Sequence, residues 1–210
     1  MRLPPPLLIV TDRRQARRPL EEIAREACAA GCRWISLREK DLSEEAQLDL
    51  FARLRPIAQA SGALITLHGS AALARRAQAG GVHLPAGGDV AAARATLGSS
   101  AMIGLSVHQA ADASALDPLL LDYVNAGPAY ETASKPGYGP ALGPSGIAAI
   151  VAKSHVPVIA IGGIGPENVR EIIGAGAMGI AVMGAVMRSP APGREIERLL
   201  AALRALAPIS

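Results

Sequence analysis

The chain has 210 residues, half of them hydrophobic and only 2% aromatic, with 21 Lys and Arg against 18 Asp and Glu for a formal charge of +3. This composition excludes a disordered chain and predicts one compact domain with a large aliphatic core. The small cationic excess is scattered and lacks interleaved aromatics, which argues against nucleic-acid binding, and no apolar run approaches the roughly 20 residues of a membrane span.

In chain order, short aliphatic runs alternate with helix-period stretches. The runs are Leu7 to Thr11, Trp34 to Leu37, Leu64 to Leu67, Gly81 to Leu84, Met102 to Ser106, Tyr123 to Ala126, Val158 to Ile161 and Gly179 to Met183. Between them, Pro19 to Ala30 carries Leu20, Ile23, Ala24 and Ala27 at helical spacing and ends at Gly31. Ser43 to Ala60 opens on an N-cap residue followed by Glu44 and Glu45, which complement the helix dipole. Ala71 to Ala79 closes at Gly80, Pro166 to Ala175 closes at Gly176, and Arg194 to Leu206 aligns Ile196, Leu199, Leu200 and Leu203 on one face. Eight strand–helix units of about 26 residues predict an α/β fold, a closed (β/α)8 TIM barrel in a single domain, with a doubly wound open sheet as the alternative. Cys28 and Cys32, four apart on one predicted helix without companions, read as buried reduced thiols rather than a zinc site. With no signal-peptide h-region at the N-terminus, a cytoplasmic protein is expected.

In such a barrel the chemistry belongs at the C-terminal ends of the strands. The Gly162-Gly163-Ile164-Gly165 turn and the Gly184-Ala185 turn follow the seventh and eighth strands, where barrels commonly bind phosphate through main-chain N–H groups. Arg38-Glu39-Lys40-Asp41 follows the second strand. In extended chain Arg38 and Lys40 point the same way and suit a phosphate, diphosphate or carboxylate. The long connection from Gly127 to Pro140 offers Thr132 and Ser134 as hydrogen-bond donors, Lys135 as an anion clamp and Glu131 as a proton carrier. Ser106, His68 and His108 end their strands, and either histidine suits acid–base work near neutral pH. His83 is expected to be packed inside the fourth strand, and His155 to be exposed at the far end of the barrel.

Taken in order, Val10-Thr11-Asp12-Arg13, Leu37-Arg38-Glu39-Lys40-Asp41, Gly81-Val82-His83-Leu84, Gly104-Leu105-Ser106-Val107-His108, Gly127-Pro128 with Thr132 to Lys135, Ala160-Ile161-Gly162-Gly163-Ile164 and Gly179-Ile180-Ala181-Val182-Met183 resemble the thiamine phosphate synthase and TenI-like thiazole tautomerase family. The resemblance runs from about Leu7 to Met187. It implies a thiamine-biosynthesis barrel that binds a phosphorylated thiazole as its small-molecule partner. Arg38 and Lys40 match diphosphate-binding residues, Ser106 the serine of the fifth strand, and Lys135 the lysine over the site. Thr132, Ser134 and Gly163 match contacts to the thiazole phosphate. In the synthase, hydroxymethylpyrimidine diphosphate loses diphosphate and the thiazole nitrogen captures the resulting carbocation, with Mg²⁺ as cofactor.

The departures from the synthase pattern fall on its metal site. Leu67-His68-Gly69 stands where synthases carry an Asn-Asp-Arg sequence, Leu84-Pro85-Ala86-Gly87-Gly88-Asp89 stands where they carry Gln and an acid, and Ser36 replaces a glutamine. Mg²⁺ needs carboxylate oxygens, which imidazole does not supply. On these grounds the expected activity is that of a TenI-like tautomerase. It would need no cofactor and no metal, and His68 or His108 with Glu131 would move the proton. Thiamine phosphate synthase with Mg²⁺ and a non-catalytic phosphate-binding module are the alternatives, and aliphatic residues on outer helices leave a homodimer open.

Overall fold

A computed structural model describes residues 5–132, 134 and 139–206. Eight strands, β1 (Leu7–Val10), β2 (Trp34–Leu37), β3 (Leu64–His68), β4 (Gly81–Leu84), β5 (Met102–Val107), β6 (Tyr123–Ala126), β7 (Val158–Ile161) and β8 (Gly179–Val182), pair in parallel in chain order. The ring closes where Leu8 of β1 registers with Ala181 of β8. Around it lie α1 (Leu20–Ala29), α2 (Glu44–Ala60), α3 (Ala71–Arg76), α4 (Val90–Leu97), α5 (Ala110–Ser114), α6 (Gly143–Val151), α7 (Val169–Gly174), α8 (Gly184–Met187) and α9 (Pro192–Arg204). The fold is the expected (β/α)8 barrel. Among the described residues, no helix is long and apolar enough to cross a membrane.

Strand side chains alternate between the two faces of the sheet, so the core divides in two. The larger part lies between strands and helices and includes Ile9, Ile35, Val124 and Ile180 with Ile23, Phe51, Ile147 and Leu199. The smaller fills the barrel interior with Leu8, Val10, Trp34, Met102, Tyr123, Ile159 and Ala181. Two of the few aromatics meet there: Trp34 and Tyr123 pack edge to face with centroids 4.7 Å apart. Gly104 of β5 makes this possible, because a Cβ there would fall 2.5 Å from Tyr123 Oη and closer still to the ring carbons.

Helix starts largely follow their caps. Ser43 Oγ accepts from Ala46 N at 3.3 Å, and Asp89 Oδ1 accepts from Ala92 N at 2.8 Å. Three expectations need correction. The α3 helix ends at Arg76, and the left-handed residue after it is Gln78 (φ 52°) rather than Gly80. The α7 helix begins at Val169, not Pro166, because Asn168 folds back to accept from Gly165 N and to donate to Gly163 O, both at 2.9 Å. Cys32 lies beyond the end of α1, although it and Cys28 are both buried free thiols; burial pushes Cys32 up to about 12. The four-residue α8 gives no periodic signal in the sequence.

Candidate active site

The C-terminal mouth of the barrel opens into a cavity of about 750 Å³. Its lining includes Arg38, Lys40, His68, Ser106, His108, Glu131, Thr132, Ser134, Gly162, Gly163, Gly184 and Ala185, so these sequence candidates converge on one space. Lys135 lies outside the described residues. His155 is exposed and absent from the lining, as its position before β7 implies.

Alternation beyond β2 sends Arg38 and Lys40 into the cavity and Glu39 the other way. Glu39 is 2% exposed and ties two loops together. It accepts from Thr11 Oγ1 at 2.7 Å and from Arg13 N at 3.1 Å through each oxygen, while Thr11 Oγ1 accepts from Arg38 N at 2.9 Å. Burial raises the Glu39 pKa, against the lowering effect of these hydrogen bonds. Burial also lowers that of Lys40, with a further contribution from the positive charge of Arg38. Arg13 is neutralised by Asp41 at 2.5 Å, whereas Arg38 and Lys40 form no ion pair among the described residues. Two aligned cations without a carboxylate partner form a ready anion site.

The floor is polar and is built on a neutral histidine. His83, 1% exposed, has Nδ1 3.0 Å from Tyr123 Oη and Nε2 2.9 Å from Ser106 Oγ. Burial, reinforced by Arg38 and Lys40, holds its pKa at about 3, so the ring is neutral at pH 7. The Tyr123 hydroxyl is fully buried with His83 as its hydrogen-bond partner, and a buried hydroxyl spends its hydrogen on an available acceptor. Tyr123 therefore donates to Nδ1, and Nε2–H donates to Ser106 Oγ, which frees the Ser106 hydrogen for a ligand. His68 packs its ring 4.7 Å from that of His83. His108 Nδ1 donates to Gly127 O at 2.7 Å, which fixes its tautomer and ring orientation.

The glycine turns form another wall. Gly162 and Gly163 have φ of 107° and 63°, in the region that favours glycine. They also let the β6 loop lie directly across the β7 loop: Ala129 N and Tyr130 N donate to Ile161 O at 2.8 Å and Gly162 O at 3.0 Å. A Cβ at Gly163 would stand 2.5 Å from Glu131 O. After β8, Arg188 reaches back toward Gly184. Arg188 Nη1 donates to Ser134 Oγ at 3.1 Å and to Gln15 Oε1, while Ser134 Oγ donates to Gln15 Oε1 at 3.0 Å. Loops β1, β6 and β8 are thereby joined by a cation that has no carboxylate partner among the described residues.

The donor set does not fit Mg²⁺ at the β3 and β4 ends. His68 brings imidazole where a hard cation needs oxygen, and Asp89 caps α4 outside the cavity lining. No group of three His, Cys, Asp or Glu among the described residues is placed to hold a metal ion. The cavity also includes residues not singled out in the sequence, notably Asn125, Glu167 and Arg188. Period-two alternation from an inward Tyr123 would have marked Asn125; Arg188 carried no signal beyond its place after the eighth strand.

Comparison with known proteins agrees with the architecture. The family model described as thiamine monophosphate synthase matches residues 7–186. A thiamine-phosphate synthase from Chlorobium luteolum is 37% identical over 201 residues, covering 94% of this chain and 92% of that protein. One from Bacteroides fragilis is 34% identical over 185 residues, covering 85% and 91%. A solved thiamine phosphate pyrophosphorylase from Pyrococcus furiosus superposes with a TM-score of 0.85 at 29% identity, covering 96% of each chain. With its barrel and nearly its whole length matched in this way, the chain belongs to the thiamine monophosphate synthase (TMP-TENI) family.

Proposed function

We propose that this chain is a thiamine-phosphate-synthase-type transferase that joins a pyrimidine diphosphate to a thiazole phosphate. The observation that carries the reading is a single cavity with two anion-binding walls around a floor built on neutral His83. Arg38 and Lys40 follow β2; the glycine turns and Arg188 follow β7 and β8. A volume of about 750 Å³ is large enough to admit both substrates. The relatives' names point the same way. This reverses the order expected from the altered metal site alone.

In the proposed step, the bond between the pyrimidine methylene carbon and the diphosphate oxygen breaks, and its electron pair leaves with diphosphate. The thiazole nitrogen lone pair then forms the new C–N bond, giving a thiazolium without proton loss. Arg38 and Lys40 hold the charge that grows on the leaving group, and Ser106 donates its free hydrogen to it. Neutral His83 keeps positive charge away from the carbon that becomes cationic. The main-chain N–H groups of Gly163, Gly184 and Ala185, with Thr132 and Ser134, receive the thiazole phosphate. Because the donor set does not suit Mg²⁺, protein cations serve as the countercharge.

One observation favours the TenI-like tautomerase as a second reading: among the described residues no carboxylate set accompanies His68, while His108 and Glu131 line the same cavity as candidate proton carriers. Supplying both coupling substrates and following diphosphate release tests the first reading. Supplying the carboxythiazole phosphate isomer alone and following its ultraviolet spectrum tests the second. Diphosphate released only when both substrates are present supports the transferase; isomerisation without such release replaces it.

A further inference from the structure

We infer that Asn125 reads the substrate: its side-chain carbonyl accepts a hydrogen bond from a neutral N–H donor, such as an exocyclic amine, on a ring lying over the barrel floor. Asn125 sits two residues beyond Tyr123 in β6 and registers with Ser106 of β5. It is 4% exposed, it lines the cavity, and its Oδ1 is buried without a hydrogen-bond partner. Buried polar groups are seldom left unpaired, and an apolar residue of the same volume would spare the barrel that cost.

The neighbouring groups do not supply the missing donor. His83 uses both ring nitrogens on Tyr123 and Ser106, and the Tyr123 hydroxyl is taken by His83. Ser106, whose hydroxyl hydrogen His83 leaves free, is in register with Asn125 but makes no hydrogen bond to Oδ1, so among the described residues the pairing is left to a ligand. Arg38 and Lys40 line the same cavity, so an ammonium or guanidinium would be repelled. An amine conjugated to a heteroaromatic ring is uncharged at pH 7 and remains a good donor. A thiazole nitrogen carries no hydrogen and leaves Oδ1 unpaired. The inference rests on the coupling reading and adds to it that the pyrimidine substrate carries such an amine and lies over this floor.

The test is calorimetric titration of the full chain with the aminopyrimidine diphosphate and with its analogue carrying hydrogen in place of the amine. The wild type is expected to favour the amine by about 10- to 100-fold. Asn125→Leu, similar in volume, is expected to lose that preference while binding thiazole phosphate with unchanged affinity, which also confirms that the variant is folded. Equal affinity of the wild type for both pyrimidines, or a preference retained in Asn125→Leu, overturns the inference and leaves the coupling reading standing. Failure of the wild type to bind either pyrimidine overturns both. If Asn125→Leu does not fold, Asn125→Ala gives the same comparison with a shorter side chain that offers no acceptor.

Discussion

Gly104→Ala tests the link between core packing and the active-site floor. The new Cβ would fall 2.5 Å from Tyr123 Oη and nearer to its ring. Tyr123 is fully buried and braced against Trp34 at 4.7 Å, so the ring has no open space to enter. Overpacking of this kind costs about 1–3 kcal/mol. Displacing the hydroxyl from His83 Nδ1, now at 3.0 Å, adds about 1–3 kcal/mol for an unpaired buried group. A total loss of about 2–6 kcal/mol is expected in urea unfolding, followed by circular dichroism and fluorescence. Tyr123→Phe isolates the hydroxyl share, about 1–3 kcal/mol. Tyr123→Leu removes the ring that the added methyl strikes, so combining it with Gly104→Ala should cost under about 1 kcal/mol more. A Gly104→Ala protein within about 0.5 kcal/mol of wild type, or strictly additive losses in the double variant, refutes the packing argument.

Replacing Glu39 by Gln removes a buried titrating group. Because burial raises its folded pKa, the carboxyl contributes most below the unfolded value near 4.3, and this contribution is lost as pH rises through the folded value. The stability advantage of wild type over Glu39→Gln, from urea melts, should therefore shrink between pH 4 and pH 7; a growing advantage contradicts the assignment. Gly163→Ala forces a side chain into φ 63° and against Glu131 O, and should cost at least about 1–2 kcal/mol with a tenfold or greater loss of thiazole phosphate affinity by calorimetry. Unchanged affinity would remove this turn from the phosphate wall. Arg38→Ala combined with Lys40→Ala should weaken inorganic diphosphate binding and flatten its dependence on salt, seen as parallel isotherms at two ionic strengths. Manganese titrated into the ligand-free protein should show no specific binding by electron paramagnetic resonance, since the β3 and β4 ends offer His68 and a capping Asp89 instead of a carboxylate set.

The barrel was legible because each parallel strand, buried on both faces, is a short aliphatic run, and the runs recur at a nearly constant interval. Polar and charged residues at or just after the ends of those runs mark the mouth, and Arg38, Lys40, Ser106 and His108 stand there. The hydrogen-bonded floor was less accessible, because it joins residues distant in sequence. His83 meets Ser106 and Tyr123 across separations of 23 and 40, and Ser134 meets Gln15 across 119. Asn125 lies inside the β6 run, and its inward face follows only from the packing of Tyr123 within the barrel. The start of α7 was missed for a local reason: the Asn168 side chain bonds the backbone that Pro166 would otherwise have carried into helix.

The coupling reaction itself is tested most directly by mixing the protein with hydroxymethylpyrimidine diphosphate and thiazole phosphate and measuring diphosphate release. Release that requires both substrates, accompanied by one thiamine phosphate per diphosphate, is the expected result. No release with either or both substrates, together with isomerisation of a carboxythiazole phosphate, would contradict the transferase and establish proton transfer as the chemistry of this cavity.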